Sequence, residues 1–183
     1  MIDPHDIRYV RLGTRNLVSA EKYALEILAL ELVRNEAGAH YFRSDDRDHT
    51  RVYFEGDPRD HVVGFELRTA DELDAATSQP SNAGVDVKAG TLEQCEQRHV
   101  GVFSNCRDLS GNSVVLVVQP YHSGRRYFPS RDEGITRSSH VGLCTTNAER
   151  NEKFWTETLG ARVSDRIGDA QLLRIDEIHH KVA

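Results

Sequence analysis

Hydrophobic and polar residues alternate in short stretches throughout the chain. Successive side chains of a strand point to opposite faces, so this period of two predicts β-strands. The predicted strands are residues 7–13, 40–43, 50–55, 61–68, 100–104 and 113–118. A Ser-Gly-Asn turn at residues 110–112 joins the last two, because Gly and Asn accept positive φ angles.

Apolar residues at helical spacing predict two helices between these strands. Asn16 is a suitable N-cap for the first, over residues 17–28, and the capping-box sequence of residues 69–72 predicts the second, over residues 70–77. The turn-forming residues 79–84 end the second helix. The buried stripe of the first helix is predicted to be Ala20, Tyr23, Ala24, Ile27 and Leu28.

Part of the sequence occurs twice. Residues 9–33 align without a gap with residues 140–164, an offset of 131 residues, and eight of the 25 aligned positions are identical. The identical pairs are Val10/Val141, Leu12/Leu143, Thr14/Thr145, Asn16/Asn147, Glu21/Glu152, Lys22/Lys153, Glu26/Glu157 and Leu28/Leu159. Further along, the same offset matches His49 with His180. A repeat of this length indicates one supersecondary unit that is used twice.

These patterns predict an α+β fold of paired βαβββ modules. Residues 1–120 are expected to form a complete N-terminal module that contains the βαβββ unit twice, and residues 121–136 a turn-rich, basic linker. Residues 137–183 would then be the first half of a C-terminal module. The first copy of the repeat continues to about residue 119, so we expect the second copy to be truncated at Ala183.

Composition narrows the classes of function. Lys and Arg number 23 and Asp and Glu 29, and the net charge of −6 gives no electrostatic reason to bind nucleic acid or an anionic membrane. The apolar stretches are shorter than the ~20 residues that span a bilayer, and the N-terminus lacks the pattern of a signal peptide. Three widely spaced cysteines fit neither a disulfide framework nor a zinc ribbon. We therefore expect a cytoplasmic protein.

The repeat, with a histidine opening the first strand of its second copy, resembles the vicinal-oxygen-chelate superfamily. That superfamily includes glyoxalases, bleomycin-resistance proteins and type I extradiol dioxygenases. Two modules in series, the second one carrying the histidines, resemble the two-domain dioxygenases such as dihydroxybiphenyl and catechol 2,3-dioxygenases. The sequences that carry the resemblance are SSHVGLCTTNAERNEKFWTETLGARVSDRI, which contains His140, and IHHKVA, which contains His179 and His180.

The resemblance implies a site in the C-terminal module that holds Fe(II), or occasionally Mn(II), through two His and one Glu. By position, His140 is the first metal ligand and His180 the catalytic acid/base, while the other His and the Glu would fall beyond Ala183. The N-terminal module would be metal-free and structural. The implied function is ring cleavage of a catechol-type aromatic substrate with O₂ in aromatic catabolism, by a homo-oligomer, and this chain would be an inactive N-terminal portion.

Other interpretations of the same residues stay open. His140 could be a histidine at the edge of the core that bonds to a backbone carbonyl, and His179 and His180 could be a polar strand end. A non-catalytic small-molecule-binding protein of the bleomycin-resistance type would sequester a ligand without metal. A glyoxalase-like metalloenzyme is a further alternative, although the first copy lacks the Glu and His ligands that it needs.

Overall fold

The computed structural model describes residues 2–36, 38–78, 85–132 and 134–183. Two compact units are present: the first unit is Tyr9–Val62 with Tyr121–Ser138, and the second unit is Met1–Arg8 with Val63–Pro120 and Ser139–Ala183. The predicted boundaries at residues 120 and 136, which rest on the repeat, stay a prediction. Within the described residues, the helices lack the length and apolar character needed to cross a bilayer.

The first unit contains four neighbouring, hydrogen-bonded strands in the order β2-β3-β4-β1. β1 and β4 are parallel, and the two other neighbouring pairs are antiparallel. Its elements are β1 (Asp6–Thr14), α1 (Leu17–Lys22), a π-helix (Tyr23–Ile27), β2 (Glu31–Glu36), β3 (Ala39–Arg43) and β4 (Arg51–Glu55), with the first residues of β1 in the second unit. The sequence patterns did not predict β2, whose residues are all half-buried or exposed and so do not alternate.

The helix predicted over residues 17–28 is present, but its second half is a π-helix. The backbone N–H of Leu28 donates to the carbonyl of Tyr23 at 3.1 Å, five residues earlier. This wider turn changes which side chains face the core, and the predicted stripe is only partly correct. Ala24 is fully buried, whereas Tyr23 is 50% exposed and Ile27 60% exposed.

The second unit holds the other large group of strands, in the order β5-β8-β7-β6. Its elements up to residue 120 are β5 (His61–Glu66), α2 (Ala70–Ser78), β6 (Lys88–Ala89), α3 (Leu92–Arg98), β7 (Val100–Arg107) and β8 (Ser113–Pro120). The sequence patterns missed α3, although Thr91 and Gln94 form a complete capping box at its start. Gly111 has φ +91 in the turn between β7 and β8, as predicted. The turn predicted at residues 79–84 lies outside the described residues.

The remainder of the second unit repeats the backbone of the first unit at the offset found in the sequence. It comprises α4 (Ala148–Lys153), a second π-helix (Phe154–Thr158), β9 (Arg162–Ile167) and β10 (Ala170–Arg174). Asn147 caps α4 by accepting from the N–H of Arg150 at 2.9 Å, as Asn16 accepts from Ser19 at the start of α1. The repeated residues therefore form the same local structure, including the π-helix that the hydrophobic pattern did not indicate.

The described residues of the segment that follows β8, up to residue 138, form neither helix nor extended strand and lie in the first unit. The segment is held by Arg43, which donates to the Ser123 hydroxyl at 2.6 Å and to the Arg125 backbone carbonyl at 2.9 Å. Arg43 also forms a bidentate ion pair with Glu31. The predicted linker is thus fixed by hydrogen bonds along its first residues.

The three cysteines should differ strongly in reactivity. Cys95 and Cys106 are buried and Cys144 is exposed. Burial, with a smaller effect from the nearby Asp108 carboxylate, raises the pKa of the Cys106 thiol to about 12. At pH 8 we expect a thiol reagent to modify Cys144 first, and Cys106 only after unfolding. Peptide mapping of the labelled protein measures this, and fast labelling of Cys106 in the folded state would contradict it.

Candidate active site

A short parallel strand pairing carries the predicted site residues. The N–H of Val141 donates to the Lys181 carbonyl at 2.9 Å, and the N–H of Ala183 donates to the Val141 carbonyl at 3.0 Å. In the first copy of the repeat, Val10 and Arg51 pair in the same way at the offset of 131. His140 lies directly before Val141, and His180 lies directly before Lys181. The bond between Val141 and Lys181 therefore brings the two histidine side chains together.

The rings of His140 and His180 lie next to each other. Their centroids are 5.0 Å apart and the ring planes are inclined by 54°. His140 is exposed and His180 half-buried, so the pair is open to solvent on the His140 side. In the first copy the matching residues Tyr9 and His49 also have centroids 5.0 Å apart. The structure therefore places the two predicted site residues, 40 positions apart in sequence, side by side.

His179 is more exposed than its neighbour. Its ring stands edge-on to that of His180, with centroids 5.4 Å apart and the two Nδ1 atoms 3.1 Å apart. One of these nitrogens must carry the proton for a hydrogen bond to form. The two residues lie where a series of bends joins β10 to the bridge at Val182, and not within a regular strand.

The two imidazoles at this point are donors of the kind that divalent metal ions bind. Neutral imidazole is a good ligand for divalent iron or manganese, and His140 and His180 supply two. Within the described ranges, no group of three or more His, Cys, Asp or Glu side chains could hold a metal ion. The residues thus fit the chemistry of a facial His/carboxylate site but do not complete one.

The first copy has a closed ionic network where the second copy has the histidine pair. The His49 ring is 1% exposed, and its Nδ1 lies 2.9 Å from Oδ2 of Asp48. Arg34 donates to both carboxylate oxygens of Asp48, at 2.8 and 3.1 Å, and its guanidinium stacks 4.2 Å from the Tyr41 ring centroid. Burial would raise the pKa of Asp48, but the hydrogen bonds to His49 and Arg34 outweigh burial and hold this pKa far below its usual range.

A buried carboxylate supports the strand that carries His140. Asp108, 4% exposed, accepts from the backbone and side-chain N–H groups of Asn112 at 2.8 and 2.7 Å, and from Asn151 Nδ2 at 3.1 Å. Asn112 Nδ2 also donates to the Cys144 carbonyl at 2.9 Å. The β7–β8 turn is thereby bonded to the segment between His140 and α4, at Cys144, and to α4 itself, at Asn151. Sequence reasoning missed Asp108, because only its turn, and not its distant partners, has a local pattern.

A cavity of about 210 Å³ lies beneath α4 in the second unit. Its apolar lining includes Leu143, Trp155, Leu173 and Val182, and its polar lining includes Asn151. Neither histidine lines this cavity. The histidine pair therefore lies outside this cavity.

Known structures share this fold. The fold matches a halotolerant catechol dioxygenase, BphC, with a TM-score of 0.87, 21% identity, and coverage of 100% of this chain and 65% of that one. It also matches the Mn(II)-bound glyoxalase from Novosphingobium aromaticivorans with a TM-score of 0.86, 22% identity, and coverage of 100% and 62%. At these identities the likeness shows the fold alone.

Sequence comparison gives a relative with higher identity. The chain is 32% identical over 171 residues to an iron-dependent extradiol dioxygenase of Rhodococcus jostii (strain RHA1), a match that covers 87% of this chain. These relatives are consistent with the vicinal-oxygen-chelate superfamily that the repeat resembles. No family model matches the chain. The chain spans about half the length of the curated relatives it matches, 55% of the Rhodococcus protein and 50% of a second dioxygenase.

Proposed function

We propose that the chain is part of an extradiol dioxygenase that cleaves catechol-type aromatic rings with O₂ and Fe(II). The observation that carries the proposal is the His140–His180 pair, whose rings are 5.0 Å apart on the parallel strand pairing of the second repeat. The relationship to an iron-dependent extradiol dioxygenase supports the reaction class. The aromatic-degrading relatives support the substrate class.

The two histidines would have different roles. His140, the exposed member, would be a metal ligand, and the half-buried His180 would accept a proton from a substrate hydroxyl. An imidazole suits proton transfer near neutral pH because its ordinary pKa is about 6.5. When bound, the iron would supply the path by which electron density passes from the catecholate to O₂. His179, exposed and edge-on to His180, would orient the His180 ring.

We further propose that these 183 residues do not form a complete site by themselves. A facial triad needs a second His ligand and a carboxylate, and the described residues contain no group of three such side chains placed to hold a metal ion. The tightly networked Asp48 and Arg34 of the first copy are already engaged with each other. The first copy would therefore have a structural role, and the missing ligands would come from sequence equivalent to the rest of the relatives' length.

A glyoxalase-like metalloenzyme is the second candidate, because the Mn(II)-bound glyoxalase matches the fold as well as a dioxygenase does. The two candidates differ in their use of oxygen. Ring cleavage consumes one O₂ per substrate, whereas an isomerase or lyase consumes none. A sequestering protein would bind a catechol without turnover.

Oxygen uptake by the product of the complete coding sequence tests the proposal. The coding DNA beyond the Ala183 codon should be read first, and we expect it to continue with a His on the next strand and a Glu on the last strand. After anaerobic loading with Fe(II), that protein should turn catechol yellow and consume O₂ in a 1:1 ratio, and a chelator should stop both. The 183-residue chain should show neither.

Other outcomes would overturn the proposal. A stop codon directly after Ala183 in the native gene, together with catechol binding that persists in chelator, would identify a sequestering protein. Metal-dependent conversion of a thiol adduct without oxygen uptake would identify the glyoxalase-like enzyme.

A further inference from the structure

A buried lysine lies directly beside the histidine pair. Lys181 is 2% exposed, and its ammonium lies 2.5 Å from Oδ1 of Asp6 and 3.2 Å from Oδ2 of Asp176. The two carboxylates are themselves only 24% and 16% exposed. An ammonium loses its hydration when it is buried, so its position is set by the carboxylates that pair with it.

The backbone of Lys181 joins the two strands on either side of it. Its N–H donates to the Leu173 carbonyl at 2.8 Å, and its carbonyl accepts from the Val141 N–H at 2.9 Å. Asp176 also closes the turn before the histidines, because its Oδ1 accepts from the Ile178 N–H at 2.9 Å. Lys181 therefore connects the start of β1 and the turn before His180 through its side chain, and Val141 after His140 through its backbone.

The first copy of the repeat has the same backbone frame without the ion pair. Thr50 matches Lys181 at the offset of 131, and it makes the same backbone bonds to Phe42 and Val10. Its side chain contributes only a neutral contact, with the hydroxyl 3.1 Å from that of Ser44. The buried ammonium is thus a feature of the copy that carries the histidine pair.

We propose that Lys181 is a positioning residue for His140 and His180. Its ion pairs with Asp6 and Asp176 fix residues 176–181, and so hold the His180 imidazole next to that of His140. The use of the pair in catalysis rests on the proposed function, but the positioning itself does not. Lys181 touches neither substrate nor metal in this scheme.

Cu(II) held by nitrilotriacetate is a suitable probe, because it accepts two cis imidazoles and needs no further protein ligand. In the wild-type 183-residue chain we expect electron paramagnetic resonance to show coupling to two imidazole nitrogens, and the His140→Ala variant to show one. Lys181→Met should weaken binding of the probe about tenfold and give the one-nitrogen signature. Lys181→Arg, which keeps the charge, should recover two nitrogens.

The matched control is Lys153→Met. Lys153 is 60% exposed in a surface pair with Glu149, and its loss should leave affinity and spectrum unchanged. Asp6→Asn removes one of the two carboxylate charges that pair with Lys181. It replaces Lys181→Met in the experiment if circular dichroism shows that Lys181→Met does not fold. Folded Lys181→Met or Asp6→Asn protein with the wild-type two-nitrogen spectrum and affinity would overturn the inference, as would a one-nitrogen spectrum in the wild type. Two nitrogens in this chain, together with no ring cleavage by the Fe(II)-loaded product of the complete coding sequence, would overturn the proposed function alone.

Discussion

Trp155→Ala is expected to lower the free energy of unfolding by about 4 kcal/mol. Trp155 is 1% exposed, and its ring meets the rings of Phe65 and Phe154 edge-on at centroid distances of 5.6 and 5.4 Å. It already borders the cavity of about 210 Å³, so removal of the indole would enlarge an existing void. Urea denaturation followed by far-UV circular dichroism measures the loss, since Trp155 is the single tryptophan.

The internal repeat explains why this position is sensitive. The first copy has Ala24 in place of Trp155, and Ala24 packs in a cluster with Phe42. The second copy has Leu173 at the position of Phe42. The larger indole of Trp155 therefore fills the core volume that the smaller leucine side chain leaves. The control Leu92→Ala, at an 82% exposed site, should change stability by less than about 0.5 kcal/mol. Equal stability losses in the two variants would show that Trp155 does not support the core.

Much of the local structure followed from the sequence because the signals are local. Asn16 and Asn147 were matched by the repeat, and both cap helices. The π-helices were missed because hydrophobic spacing was interpreted with the ordinary helical period. Their extra residue is visible only in the bond from Leu28 to Tyr23 and its copy from Leu159. Helix α3 had a sequence signal in its Thr91 capping box, which went unused.

Some residues of the candidate site could be predicted from the sequence, and others could not. The repeat placed His140 and His180 at matching strand ends, and the structure brings their rings together. It could not indicate Lys181, whose partner Asp6 is 175 residues away, or Asp108, whose partner Asn151 is 43 residues away. Such buried ion pairs and hydrogen bonds depend on tertiary contacts, and a single sequence has no periodicity that reports them.

Asp48→Asn is expected to lower the free energy of unfolding by about 3 kcal/mol at pH 7, because it removes the buried carboxylate that pairs with the Arg34 cation and leaves only the exposed Glu36 carboxylate, 3.7 Å from Arg34 Nε, as a counter-charge. The side chains of Asp48 and Arg34 are only 13% and 12% exposed, and two hydrogen bonds join them. His49, 1% exposed, bonds to the same carboxylate. The neutral amide can accept one bond but cannot neutralise the guanidinium.

The pH dependence of this loss gives a second, independent check. The pKa of Asp48 is lower in the folded state than its ordinary value of 3.8, so the ionised carboxylate stabilises the fold above that value. This contribution is lost as the pH falls from about 4 toward the folded-state pKa, and the gap between wild type and Asp48→Asn should narrow between pH 5 and pH 3. Asp86→Asn, in a surface pair 75% exposed on both sides, should match the wild type throughout. A gap that stays constant with pH would mean that loss of the Asp48 charge does not cause the destabilisation.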